Sequence, residues 1–196
     1  MAAQQTRRVV LSVIKSIGGR EKVDYSLTIG FDSSVKDLSE LLYNILSEVL
    51  FVELIDYEVE VWKRNYDESI SVGCDYFSID IDLQDENSNV KNNFEIYNSF
   101  GTYHLDTDMY ISIQFKTHVF HVGWLKFLEV MGKLLNVNDK DLILEDDSTY
   151  PLLKRSRGVL IVNSELDEPQ TWYMSKENLK LLHYPYKEEK ITLTAD

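Results

Sequence analysis

Apolar and polar residues alternate through much of the stretch from Asp67 to Lys116. Ile79, Ile81 and Leu83 fall on one parity, Asp80 and Asp82 on the other. Further on, Met109, Ile111, Ile113 and Phe115 alternate with Tyr110, Ser112, Gln114 and Lys116. A period of two predicts strands of a half-buried sheet. Tyr57, Val59 and Val61 alternate in the same way with Glu58, Glu60 and Trp62, followed by a turn over Asn65–Glu68. Ile70, Val72 and Cys74 predict another strand. Its apolar parity shifts at Tyr76-Phe77, which would flip the buried face, so a bulge near Gly73 or a break is expected there. Nearer the N-terminus, Arg7–Ile14 reads as a strand. Val23, Tyr25, Leu27 and Ile29 form the next, with Gly18-Gly19 as the tight turn of a hairpin between them.

In two places the period lengthens to three and four. Val35, Leu38, Leu41, Leu42, Ile45, Leu46, Val49 and Leu50 form one stripe, predicting a helix over about 35–52. Asp32, Ser33 and Ser34 supply N-cap oxygens, and Asp37 stands three residues after Ser34 as in a capping box. Trp124, Phe127, Leu128, Met131, Leu134 and Leu135 predict a second helix over about 122–135, with Asn136 as its terminator. Phe94–Asn98, Thr102–Leu105, Asp141–Leu144 and Gly158–Val162 read as further strands. Asp85–Asn93 reads as a loop, and a charged loop separates the last two strands. Ser175 caps a short third helix through Leu182, and the tail from Tyr184 is polar and expected to be loose. The expected fold is α+β: mainly antiparallel sheet, two main helices and a short C-terminal helix. Residues 1–196 would make a single compact domain, or two packed lobes with a break near 87–93.

Charge sharpens this picture. The 196 residues carry a net charge of −13. Between Asn65 and Lys116 stand ten acids against Lys91 and Lys116. Nucleic acid and anionic membranes are poor partners for such a chain, since both demand clustered Lys and Arg. No apolar run approaches the roughly 18 residues of a membrane span, and the N-terminal residues lack the apolar core of a signal peptide. Cys74 is the only cysteine, so no intramolecular disulfide can form. A cytoplasmic location is expected.

Several residue types could carry chemistry, and each has a plainer reading. His118 and His121 are spaced to share a metal on a helix face, but no second ligand cluster accompanies them. Cys74 could act as a nucleophile, but its parity places it with Ile70 and Val72 as a core thiol. Asp80-Ile-Asp82 and Asp106-Thr-Asp108 match a short pattern that can hold a divalent ion. The first pair projects from one face of a strand, whereas the second suits a turn. Lys154-Arg155-Ser-Arg157 follows Glu145-Asp146-Asp147, and the two runs would flank one loop and pair at the surface, with little effect on stability. The chain has no glycine-rich phosphate loop, no Gly-x-Ser-x-Gly elbow and no His-Glu-x-x-His.

The acidic sheet face remains. Glu58, Glu60, Asp80 and Asp82 occupy the polar parity of their strands, and like charges on neighbouring strands would repel. The plain reading is a solvated face that keeps the protein soluble. The functional reading is a surface matched to a basic protein partner. Trp62 on the polar parity, and Tyr110 in a similar position, have the character of interface anchors. The expectation is an acidic, non-enzymatic binding protein, without cofactor or metal, that inhibits a partner with a basic surface such as a nuclease or toxin. Its expected contact residues are Glu58, Glu60, Trp62, Asp80, Asp82 and Tyr110. Toxin-immunity proteins and phage anti-defence inhibitors share this general character, a likeness of composition alone. The alternatives are a divalent-metal enzyme using Asp80 and Asp82, and a non-catalytic subunit of a larger assembly.

Overall fold

The computed structural model describes residues 22–51, 60–83 and 105–192. The expected strand Arg7–Ile14, its Gly18-Gly19 turn, Glu58, the loop at 85–93 and the strand Phe94–Asn98 lie outside these residues. So does all but Leu105 of the strand Thr102–Leu105.

The described residues build an α+β fold around one sheet. Its strands are β1 (Lys22–Ile29), β2 (Trp62–Asn65), β3 (Ser69–Gly73), β4 (Phe77–Asp82), β5 (Met109–Lys116), β6 (Leu142–Asp146), β7 (Pro151–Ser156), β8 (Val159–Asn163) and β9 (Tyr186–Glu189). Their spatial order is β2-β3-β4-β5-β1-β6-β7-β8-β9. Every neighbouring pair is antiparallel except β8 with β9, which run parallel. Of the strand expected over 57–62, residues 57–59 lie outside the described residues, and among the rest β2 begins at Trp62. The parity shift after Cys74 proves to be a break rather than a bulge: β3 ends at Gly73, β4 begins at Phe77, and Cys74 N–H donates to the Phe77 carbonyl at 2.9 Å.

One face of the sheet is apolar, and its residues meet in register. Tyr25, Leu27 and Ile29 stand opposite Ile113, Ile111 and Met109, while Ile79 and Ile81 flank the same strand on its other side. Helix α1 (Val35–Phe51) and helix α2 (Phe120–Val137) pack on this face and on each other. The capping box of α1 forms as its sequence predicts. Asp37 N–H donates to Ser34 Oγ at 3.1 Å and Ser34 N–H donates to Asp37 Oδ2 at 3.2 Å. The hydroxyls of Ser33 and Ser34 hold the Asp37 carboxyl below its ordinary range. From α2, Trp124 enters a buried aromatic cluster with Tyr25, Phe115, Phe120, Phe127 and Tyr173, its centroid 5.0 Å from that of Tyr25 and 4.8 Å from that of Tyr173. Its indole N–H donates to the Tyr173 carbonyl at 2.9 Å, so the polar atom of the largest buried ring is satisfied.

The C-terminal third departs from expectation in three ways. The charged loop before β8 contains a strand, β7, and Arg155 within it is fully buried rather than paired at the surface. Arg155 Nε donates to the Lys140 carbonyl at 2.8 Å and Nη1 to the Leu135 carbonyl at 2.9 Å. Leu135 lies in the last turn of α2, so the guanidinium meets one carbonyl left unpaired at a helix end, where the helix dipole also favours a cation, and one in the loop beyond it. A helix α3 (Glu168–Tyr173) precedes the expected one, with Asp167 and Gln170 exchanging the two bonds of a capping box. The expected helix is a short α4 (Lys176–Leu179) capped by Ser175, then a 3-10 turn (Lys180–Leu182). Finally, the described part of the tail is not loose, since Tyr186–Glu189 form β9 against β8.

Candidate functional site: the polar face of the sheet

All described helices lie on the apolar side. Helix α1 packs on β3 and α2 on β5, the 3-10 turn Lys180–Leu182 packs on α2, and α3 reaches β1 through Tyr173. The opposite face is the candidate site, and the cross-strand register fixes what stands together on it, because opposed residues share a face.

Two rows cross the sheet from the edge strand β2 inward. The first holds Trp62, Gly73, Ser78, Gln114 and Asp24. The second holds Arg64, Ser71, Asp80, Ser112, Ser26 and Glu145. A third begins with Ser69 beside Asp82. Because Ile81 pairs with Ile111, the next step of that ladder brings Asp82 to Tyr110, which faces Thr28 on β1.

The register changes how the expected contact residues relate to one another. Strand β3 separates β2 from β4, so Trp62 and Asp80 are not on neighbouring strands. Asp80 stands between Ser71 and Ser112, with the Ser78 hydroxyl donating to its carboxylate at 3.5 Å. Its cross-strand neighbours are hydroxyls, and hydroxyls on both sides avoid the repulsion that opposed carboxylates would bring. Glu60 is exposed just ahead of β2, and Glu58 lies outside the described residues. Trp62 is half-buried with its ring over Gly73, where a Cβ would come within 2.6 Å of Cζ2. Glycine at 73 is therefore what lets the indole lie flat on the sheet. Arg64 stacks on that indole, Cζ 4.6 Å from the ring centroid. Tyr110 is exposed at 44 %.

Two charged groups on this face are tuned by burial. Glu145 is half-buried, and burial first, then the neighbouring Asp146 charge, pushes its carboxyl up to about 7. Burial pushes the Lys154 ammonium down, against the pull of Asp141. Sequence reasoning passed over Arg64, Asp24 and Glu145. Asp24 was readable from its alternation with Tyr25 and Arg64 from its spacing of two from Trp62, whereas Glu145 joins the face only through register.

The other candidate residues sit elsewhere. His118 is exposed, and His121 lies against Trp172 at 4.9 Å between ring centroids, burial lowering its imidazole. Cys74 is 2 % exposed and burial raises its thiol, which disfavours the nucleophilic thiolate. Asp108 Oδ1 accepts from Phe31 N–H at 2.9 Å, holding the chain just after β1. Among the described residues, no three His, Cys, Asp or Glu side chains are grouped to hold a metal. Nor is any described helix long and apolar enough to cross a membrane. Comparison with protein-family models, curated protein sequences and solved structures gives no match.

Proposed function

We propose that this chain is a binding protein that inhibits a protein partner by covering its basic surface, using the polar face of the sheet over β2, β3, β4, β5 and β1. The observation that carries this reading is the one-sided placement of the helices. It leaves Asp24, Asp80, Asp82 and Tyr110 together on the face opposite to all described helices. A chain of net charge −13 attracts cationic surfaces over distances near the Debye length, which favours fast association. Carboxylates fixed on a rigid sheet, spaced by serines, match a cationic surface without having to be ordered on binding. Occlusion of a nuclease or toxin is the outcome such a surface would serve, with carboxylates standing where phosphates would otherwise bind.

The test is capture from a native host lysate with wild type and with the double variant Asp80→Lys/Asp82→Lys, at low and high salt. The expected result is a basic protein retained by wild type at low salt, released by high salt and missed by the variant, whose melting temperature is unchanged. Equal retention by both proteins at both salt concentrations would overturn the reading.

A further inference from the structure

We propose that Glu145 is a contact of this face that takes a lysine or arginine of the partner, completing an ion pair that the chain itself leaves half-made. The inference rests on the binding reading above and extends the face from β1 to β6. Ser26 on β1 stands opposite Glu145, which places the carboxyl at the end of the row Asp80, Ser112, Ser26. Three strand spacings, about 14 Å, separate it from Asp80. The carboxylates of the face differ in what they already hold. Asp80 has the Ser78 hydroxyl, Asp82 is engaged within the chain, and Asp24 is exposed to water. Glu145 is half-buried, and among the described residues no hydrogen bond or ion pair reaches its carboxyl.

The described groups around it supply no counter-charge. On β7, Pro151 pairs with it and brings no polar side chain, while Lys154, farther along that strand, feels the charge of Asp141. On β1 the nearest charged position of this face is Asp24, another acid. Two acids follow Glu145 in sequence. Asp146 turns its carboxylate to Ser148 N–H and Tyr150 N–H, both at 2.9 Å, and to Gln170, and Asp147 lies in the turn beyond. A carboxyl drawn part-way out of water without a counter-charge is costly as an anion, so burial, then the Asp146 charge, keeps it protonated up to about pH 7. An ammonium or guanidinium seated there offsets that cost once the proton leaves, whereas the neutral acid attracts it only weakly. Cation binding at Glu145 is thus coupled to release of its proton to solvent, and affinity rises as pH rises through about 7.

The experiment titrates the full chain with N-acetylated hexa-lysine at low salt, at pH 6 and at pH 8. Acetylation removes the one group of the peptide that would titrate in this window. Binding is followed by NMR, which also shows that each variant is folded. The expected result is about three-fold tighter binding by wild type at pH 8 than at pH 6, beyond any change in Glu145→Gln, whose amide stands for the protonated acid. At pH 8 that variant should bind about three-fold more weakly than wild type, and at pH 6 nearly equally. The histidines titrate in the same window but are common to both proteins, so the difference between the two isolates Glu145. Equal pH dependence and equal affinity of the two proteins would overturn the contact. If they are equal and binding is still lost in Asp80→Lys/Asp82→Lys, the contact falls while the basic-partner reading stands. If the peptide fails to bind wild type at either pH, both fall.

Discussion

On the helix side of β1, Tyr25, Leu27 and Ile29 are at most 5 % exposed, while on the other side of the same strand Asp24 is exposed and Ser26 and Thr28 are half-buried. The contrast repeats on β5, where Ile111, Ile113 and Phe115 are fully buried and Tyr110 stands out. The two faces thus have opposite logic. The apolar face has its partners within the chain, in α1, α2 and the aromatic cluster. The polar face carries serines, carboxylates and an exposed tyrosine, arranged by register into rows that no described helix covers. Substitutions on the first should therefore act on stability, and those on the second on recognition.

The sharpest way to break this comparison is Trp124→Ala. It removes the centre of the aromatic cluster and the bond to the Tyr173 carbonyl. Chemical denaturation should show a loss of about 4 kcal/mol, and a loss near zero would mean the cluster does not hold the sheet to α2. Next is Arg155→Met, which keeps the aliphatic volume but leaves the Leu135 and Lys140 carbonyls without the guanidinium. About 3 kcal/mol of destabilisation is expected in the same assay.

Glu145 tests the polar face where it is partly dry. Its carboxyl, pushed up to about 7 from the ordinary 4.5, holds its proton more tightly in the folded than in the unfolded state. That contribution to stability is fully present below about pH 4.5 and lost as pH rises through 7. Glu145→Gln should therefore gain on wild type between pH 5 and pH 8 by roughly 1 kcal/mol, after allowance for the part of the carboxyl that solvent screens. Parallel stability–pH curves for the two proteins would refute the assignment. The smallest effect belongs to Ser112→Ala beside Asp80, which should change stability by no more than about 0.5 kcal/mol.

Local pattern made much of this fold readable. The stripe and capping box of α1 predict its start at Val35 and bring its end within one residue of Phe51, and the stripe of α2 lies within the observed Phe120–Val137. The parity of β4 and β5 assigns each of their residues to the correct face. Strand β7 was hidden because Arg155 occupies a core-facing position, so the cation broke the apolar alternation that Leu153 begins. Its partners are backbone carbonyls of α2 and the loop beyond it, contacts that no local pattern signals. Helix α3 had a readable sign in Asp167 and Gln170, three apart around Pro169. The polar face was the least legible part. Its members carry the right parity, but their adjacency depends on β4 pairing with β5 and on β1 inserting between β5 and β6. Those are long-range pairings, and the placing of Ser112 and Ser26 beside Asp80 follows from them.

The most direct measurement is the association rate of the captured basic partner with wild type and with Asp80→Lys/Asp82→Lys, followed as ionic strength rises. If the polar face is the recognition surface, the wild-type rate falls steeply with salt. The variant associates more slowly at low salt, and the two rates converge when charge is screened, with both proteins equally stable. Rates that ignore both salt and the two substitutions would contradict the account and leave the carboxylates of this face as solvated surface.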